Sequence, residues 1–285
     1  MQVTASPLPV PAETVTSREN RWLKQFRTAL VQGRRTREGY IGVEGPHLVE
    51  EALRAGLEIA AVLASPRGEH LLCRWQDQLG PQVRLLRTTE KLFRTVADTK
   101  TPQGIAALVR PRDWQVEDLL RGPQPLVLVL AGVQDPGNVG TMIRTAEALG
   151  ASGVVAARLG EQNSAHPLAP KALRASAGSA LRLPVLAGAS LPTLLAQLRI
   201  SRIQIVAASP VRGAAPAALN FRAPLALLVG NEGTGLPANV ERAADALVRI
   251  PLTGSAAGAV ESLNVAVAAT ILLYEAARQR AGGPA

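Results

Sequence analysis

Cysteine is almost absent: Cys73 stands alone in 285 residues, so no intramolecular disulfide can form. Histidine is nearly as scarce. His47, His70 and His166 are scattered, and three separated imidazoles with a single thiol offer no metal-ligand spacing, so no metal is expected. The same scarcity counts against a Ser/His hydrolase, because no G-x-S-x-G turn lies near His166. Aromatic residues make up 3% of a chain that is 47% hydrophobic, so any core must be built from Ala, Val and Leu. No apolar run reaches the roughly 18 to 20 residues of a membrane span. Residues 1–16 lack the basic and apolar regions of a signal peptide, and the expected location is the cytoplasm with no membrane partner. Acidic residues are also in deficit, 22 against 31 Lys and Arg, for a formal charge of +9. That balance favours a polyanionic partner such as nucleic acid, though solubility alone could account for it.

The length suits two modest domains. Residues 1–16 are rich in Pro and Thr without periodicity and are expected to be a disordered tail. From Ser17 an amphipathic helix is expected: Trp22, Leu23, Phe26, Ala29 and Leu30 fall at helical spacing, and Arg18, Arg21, Lys24 and Arg27 recur on the other side. With Arg34, Arg35 and Arg37, residues 18–37 hold seven basic side chains against Glu19, a candidate phosphate-contacting edge. Strands and helices then alternate: YIGVEG, PHLVEEALRAG, IAAVLAS, a helix to about Leu79, VRLL, a further helix, a turn at Thr101 to Gly104, and a last strand. This is a small α/β domain over 17–110. The charged, Pro-containing stretch 111–124 reads as a linker with one short helix.

The second domain, 125–285, opens on PLVLVLAGV, a continuous apolar run of the kind a doubly buried parallel strand shows. DPGNVGTMIRTAEALGA turns at Pro136 and Gly137 and becomes a helix carrying Asn138 and Arg144. There is no GxGxxG and no GK[ST], so a dinucleotide or triphosphate site is poorly supported. A small-residue helix bears Lys171 and Arg174, one turn apart. The strand PLALLVG runs into NEGTGLP, placing Glu232 among Gly230, Gly233 and Gly235 at a strand's C-terminal end, where open α/β sheets bind ligands. The stretch Ile250 to Arg280 packs a strand end, a loop of small residues and a long apolar helix together. That helix is expected to start at about Ser262, to be buried on most sides, and to place Arg278 and Arg280 on its C-terminal dipole. Ser262 and Asn264 at its entrance are either a cap and its neighbour or members of a site.

Three of these stretches, LAGVQDPGNVGTMIRTAEALG, LLVGNEGTGLP and IPLTGSAAGAVESLNVAVAATILLYE, resemble the ordered motifs of the SpoU family of RNA ribose 2′-O-methyltransferases, in the SPOUT class. Residues 36–109 resemble the small L30e-like RNA-binding domain that precedes the catalytic domain in many members. The resemblance implies an α/β fold: a C-terminal parallel-sheet SPOUT domain with a trefoil knot, preceded by the small α/β L30e-like domain. It also implies a homodimer, S-adenosylmethionine as cofactor, and RNA as substrate, ribosomal RNA of the 23S type favoured over tRNA. The family's functional positions match at Asn138, Arg144, Glu232, Ser262 and Asn264, and its cofactor contacts at Gly230, Ile250, Leu252 and Leu263. Arg34, Arg35, Arg37, Lys171 and Arg174 are the candidate RNA contacts. Either Arg144 or Glu232 could activate the 2′-hydroxyl. A guanidinium is too basic to take a proton readily and suits a phosphate, whereas a carboxylate that reaches the hydroxyl is the easier acceptor. A non-catalytic RNA-binding protein that keeps the fold would bind no cofactor. One departure stands out: the loop Thr253–Val260 is longer than is usual in the family.

Overall fold

The computed structural model describes residues 12–253 and 262–282. The chain divides between Asp113 and Trp114 into two compact units.

The first unit is a five-stranded sheet. Its strands are β1 (Glu13–Thr14), β2 (Ile41–Glu44), β3 (Ile59–Ala64), β4 (Arg84–Arg87) and β5 (Ile105–Val109), in the order β1-β4-β3-β5-β2. Helices α1 (Arg21–Phe26), continued by a π-helical turn to Val31, α2 (Pro46–Arg54), α3 (Glu69–Trp75) and α4 (Glu90–Phe93) join them. The basic helix begins at Arg21 instead of Ser17, because Asn20 caps it by accepting from the Trp22 backbone N–H at 2.8 Å. Its expected stripe is buried at Leu23, Phe26, Ala29 and Leu30, and its cations face outward. The expected tail needs correction at its end. Glu13 and Thr14 pair parallel to β4, and Val15 is 1% exposed within the core. One apolar residue in a Thr- and Pro-rich stretch has no periodicity to announce it, yet it suffices to seat a sheet edge. Residues 1–11 lie outside the described part.

The second unit begins with α5 (Val116–Leu119), inside the stretch read as a linker. Leu119 is buried in the core of this unit, so most of that stretch belongs to it. There follow β6 (Leu126–Ala131), α6 (Pro136–Ala148), β7 (Gly153–Leu159), β8 (Gln162–Asn163), α7 (Pro170–Ala175), β9 (Val185–Ser190), α8 (Leu191–Ile200), β10 (Gln204–Ala208), β11 (Leu225–Val229), α9 (Ala238–Ala243), β12 (Ala246–Val248) and α10 (Val265–Ala281). The sheet runs β12-β10-β11-β6-β7, with β9 parallel and β8 antiparallel to β7. The chain therefore builds outward from β6, then returns to lay β11 on its other side. The order reverses between β6 and β11. Every residue of both strands is buried, since alternate side chains meet helices on both faces. Val127, Val129 and Ala131 pack with α8, Leu119 and Val240 on one face. Helices α6 and α10 lie on the other, with α7 packed against α6. Parallel α/β order is as expected. Helix α9 is an element the sequence pattern did not suggest.

Helix α10 departs from expectation at three points. Asn264, not Ser262, is its cap. Only one side is buried, through Ala266, Ala269, Leu272, Leu273 and Ala276, while Val267 and Tyr274 are 48% and 59% exposed. And Arg280, in the last turn as expected, also reaches carbonyls of other segments. Its Nε donates to Phe221 O (2.8 Å), Nη1 to Gln124 O (2.6 Å) and Nη2 to Ala223 O (2.8 Å) and Pro125 O (3.3 Å). One guanidinium thus fastens the helix end to the segments leading into β6 and β11. Arg280→Ala is expected to lower the unfolding free energy by about 2 kcal/mol, the size of charge-assisted hydrogen bonds lost with their acceptors left behind. A lower urea midpoint at constant m-value would record it. Arg278→Ala breaks only its pair with Glu275, in which the arginine is half exposed and the carboxylate keeps Gln279 as a partner, and is expected to move the midpoint less.

Candidate functional site

A cavity of about 470 Å³ opens where Ala208, Val229 and Val248 end β10, β11 and β12. Its lining includes Gly230, Ile250, Leu252 and Leu263, the four positions expected to touch a cofactor, together with Glu232 and Ser262. The turn after β11 shapes one wall. Asn231 and Gly235 exchange backbone hydrogen bonds (3.2 and 2.9 Å), and Asn231 Oδ1 accepts from Gly233 N (2.9 Å) and Thr234 N (3.1 Å). Asn231 Nδ2 donates to Gly132 O at 2.9 Å, tying this turn to the end of β6. Gly230 is required by close approach: a Cβ there would run into the backbone of Gly235 and Leu236. Sequence reasoning did not single out Asn231. Its signal is the side-chain acceptor two residues before a glycine, which builds an Asx turn. Most of the long Thr253–Val260 loop lies outside the described residues.

Glu232 leaves that turn to reach the start of α6. Its Oε2 accepts from Gln134 N (3.1 Å) and its Oε1 from Asp135 N (3.0 Å) and Asn138 Nδ2 (3.1 Å). Partial burial pushes the carboxyl upward, but the backbone N–H groups of Asp135 and Gln134 and the Asn138 amide outweigh it, so its pKa is lowered from 4.5. The carboxylate stays ionised and occupied.

Asn138 Oδ1 in turn accepts from Asn264 Nδ2 at 3.3 Å, and Asn264 Oδ1 accepts from Ala266 N (2.8 Å) and Val267 N (3.4 Å). The orientation of both amides is forced from the ends of this chain. A carboxylate only accepts and a helix N-terminus only donates, so each Asn must give its NH₂ toward Glu232 and its oxygen toward α10. Three residues from three distant stretches form one line of hydrogen bonds. Asp135, not flagged by the sequence, caps α6 by accepting from Asn138 N at 2.9 Å, and its other oxygen meets Lys171 Nζ at 2.7 Å.

The remaining expected residues are placed as follows. Ser262 is exposed at the cavity and is not the helix cap. Arg144 is exposed on α6, outside the cavity lining, with no hydrogen bond or ion pair among the described residues. Arg174 is half-buried on α7. In the first unit Arg34 and Arg37 are exposed, and Arg35 pairs with Asp113 at 3.3 Å. Among the described residues, no cluster of three His, Cys, Asp or Glu side chains could hold a metal ion, and no helix is long and apolar enough to cross a membrane.

Comparison with known proteins adds a family to this geometry. Residues 125–274 match the SpoU rRNA Methylase family, and residues 20–107 match the MRM3-like substrate binding domain. The chain is 34% identical to the 23S rRNA (guanosine(2553)-2′-O)-methyltransferase RlmP of Bacillus subtilis, over 91% of this chain and 97% of that protein. An AdoMet-bound rRNA methyltransferase from Sinorhizobium meliloti is similar in structure, with a TM-score of 0.78 and 32% identity over 94% of this chain and 98% of that one. The SpoU methyltransferase AviRb from Streptomyces viridochromogenes, in complex with AdoMet, gives a TM-score of 0.80 at 28% identity, covering 93% and 100% of the two chains.

Proposed function

The chain belongs to the SpoU rRNA methylase family, and from that premise we propose that it methylates a ribose 2′-hydroxyl of 23S ribosomal RNA, using S-adenosylmethionine. The observation that carries the reading is the meeting of Glu232, Asn138 and Asn264 beside a cavity lined by Gly230, Ile250 and Leu263. The cavity fits the cofactor on its own terms. Its volume suits a small ligand, a bare backbone wall at Gly230 admits close approach, and apolar side chains line much of it. When bound, the cofactor supplies a methyl group made electrophilic by its sulfonium.

The residues of the chain then have three tasks: to align the hydroxyl, to ease loss of its proton, and to keep water out. Asn138 and Asn264 hold the entrances of α6 and α10 in fixed relation, which aligns the two walls between which the ribose would lie. Arg144, with no hydrogen bond or ion pair among the described residues, would grip the ribose phosphate and stabilise the charge that develops on the 2′-oxygen. The apolar ends of β11 and α10 exclude solvent from the cavity floor. The first unit, with its exposed cations, would hold the RNA around the target nucleotide.

Two finer features belong to the same reading. The family fold carries a trefoil knot in this domain, and the strand order, with β11 laid between β6 and β10, accords with it. The outward apolar side of α10 would be covered by a second copy of the chain, since Val267 and Tyr274 lie at i and i+7 on one side of the helix. The wild type is then expected to sediment as a dimer and the double variant Val267→Glu, Tyr274→Glu as a folded monomer. A monomeric wild type at all concentrations would refute the dimer.

The decisive experiment incubates the protein with labelled S-adenosylmethionine and separated 23S, 16S and transfer RNAs, then maps the methyl. Label on a 23S ribose is expected. Label on a base would overturn the 2′-O assignment, and label confined to tRNA would move the substrate.

A further inference from the structure

Lys171 was expected to contact RNA, yet its ammonium is engaged by a carboxylate at the entrance of α6. Nζ lies 2.7 Å from Asp135 Oδ2, and Asp135 is the residue on which the α6 entrance turns. Its side chain caps Asn138 N at 2.9 Å while its own backbone N–H donates to Glu232 at 3.0 Å. Two carboxylates therefore crowd the entrance of α6: Glu232 accepts from the Gln134 and Asp135 N–H groups just before the helix, and Asp135 accepts from the Asn138 N–H inside its first turn. Helix dipole and N–H donors stabilise both, but they repel each other, and Lys171 is the cation that meets Asp135 there. The Asp135 carboxyl is held below its ordinary value first by Lys171 and then by the Asn138 N–H.

Lysine 171 comes from α7, and α7 is locked to α6 at a second point. At Gly140 any Cβ would meet Ala172 O, the Ala175 side chain and Ser176 N. The two helices can thus approach only as they do, which places Nζ over Asp135. Both partners are about half exposed, 58% and 45%, so the pair adds little to global stability. What it adds is geometry.

We propose that Lys171 is a positioning residue for methyl transfer: its ion pair with Asp135 fixes the first turn of α6, and with it the Asn138 amide that joins Glu232 to Asn264. The proposal rests on the methyl-transfer reading of this site.

The test compares Lys171→Met, Lys171→Arg, Asp135→Asn and the Lys171→Met/Asp135→Asn double variant with wild type. Three readouts are taken: the rate at saturating RNA, RNA affinity across salt concentrations, and amide exchange at residues 134–139 of the protein without RNA. Lys171→Met is expected to lower kcat about ten- to a hundredfold, leave RNA affinity and its salt slope unchanged, and speed exchange at Gln134, Asp135 and Asn138. Lys171→Arg should restore most of the rate, and the double variant should be no worse than the poorer single one. Weaker RNA binding with the salt slope reduced by about one unit, at unchanged kcat and exchange, would overturn the proposal and make Lys171 a phosphate contact. Exchange unaltered in Lys171→Met would also overturn it. If the wild type methylates no RNA, the methyl-transfer reading fails, and the exchange readout still decides whether Lys171 holds α6.

Discussion

Arg144→Ala is expected to lower methyl transfer to ribosomal RNA by about 10²–10⁴-fold while leaving S-adenosylmethionine affinity and the unfolding midpoint at wild-type values. The separation of these readouts follows from where Arg144 sits. It is exposed on α6, outside the cavity lining, and makes no hydrogen bond or ion pair among the described residues. Alanine is also the best helix former, so its removal costs the fold little. Any loss of rate must then come from contacts made with RNA. A guanidinium cannot act as a free base at neutral pH, because it is far too basic to give up its proton there. It can clamp a phosphate through two N–H groups and stabilise negative charge on a neighbouring oxygen. Arg144→Lys separates these actions: a point charge should recover part of the rate if charge is what matters, and little if the forked geometry is. Wild-type turnover in Arg144→Ala, measured with labelled cofactor and rRNA, would remove this residue from the mechanism.

What could be read from the sequence differs sharply between kinds of feature. The strands β6 and β11 were legible as continuous apolar runs because a strand covered on both faces needs no polar positions. Helix α6 was legible because Pro136 starts it, Met142, Ile143 and Ala146 form its stripe, and Gly150 ends it. The cavity residues Gly230, Ile250, Leu252 and Leu263 were reached through resemblance, and they do line one cavity. The cap of α10 was misplaced by two residues because Ser262 and Asn264 are both good caps. Only the φ/ψ path decides, and Asn264 accepts from Ala266 N and Val267 N. Long-range polar partners were not legible at all. Nothing local says that Arg280 reaches the carbonyls before β6, or that Lys171 belongs to Asp135, because such pairs are created by strand order. That order, with β11 set between β6 and β10, is not a property of any window of sequence. The outward face of α10 has the same origin: its apolar composition was plain, but the side left uncovered depends on where α6 and β11 lie.

Glu232 is the residue whose role the structure changes most, and Glu232→Gln tests the change. As a carboxylate beside a reacting hydroxyl it would be the natural proton acceptor. In place, it accepts from Gln134 N, Asp135 N and Asn138 Nδ2, and its pKa is lowered from 4.5. A base works best with a pKa near the operating pH, and these donors move Glu232 the other way. It is better described as a clamp that draws the β11 turn onto the N-terminus of α6. A lowered folded-state pKa means that the clamp's contribution is fully present above the ordinary value of 4.5 and is lost only as pH falls through the still lower folded value,. The rate of the wild type should therefore show no inflection from Glu232 near neutrality, and the link should fail only in acid. Glutamine keeps one oxygen but turns an NH₂ group toward N–H donors, so at least one bond becomes a repulsion. Glu232→Gln is expected to lower kcat by about a hundredfold through misplacement of Asn138, to speed amide exchange at Gln134 and Asp135, and to leave the neutral pH profile of the residual activity unchanged. The opposite pattern, with exchange at those amides unaltered and loss of a pH-dependent limb seen in the wild type, would return Glu232 to the role of proton acceptor.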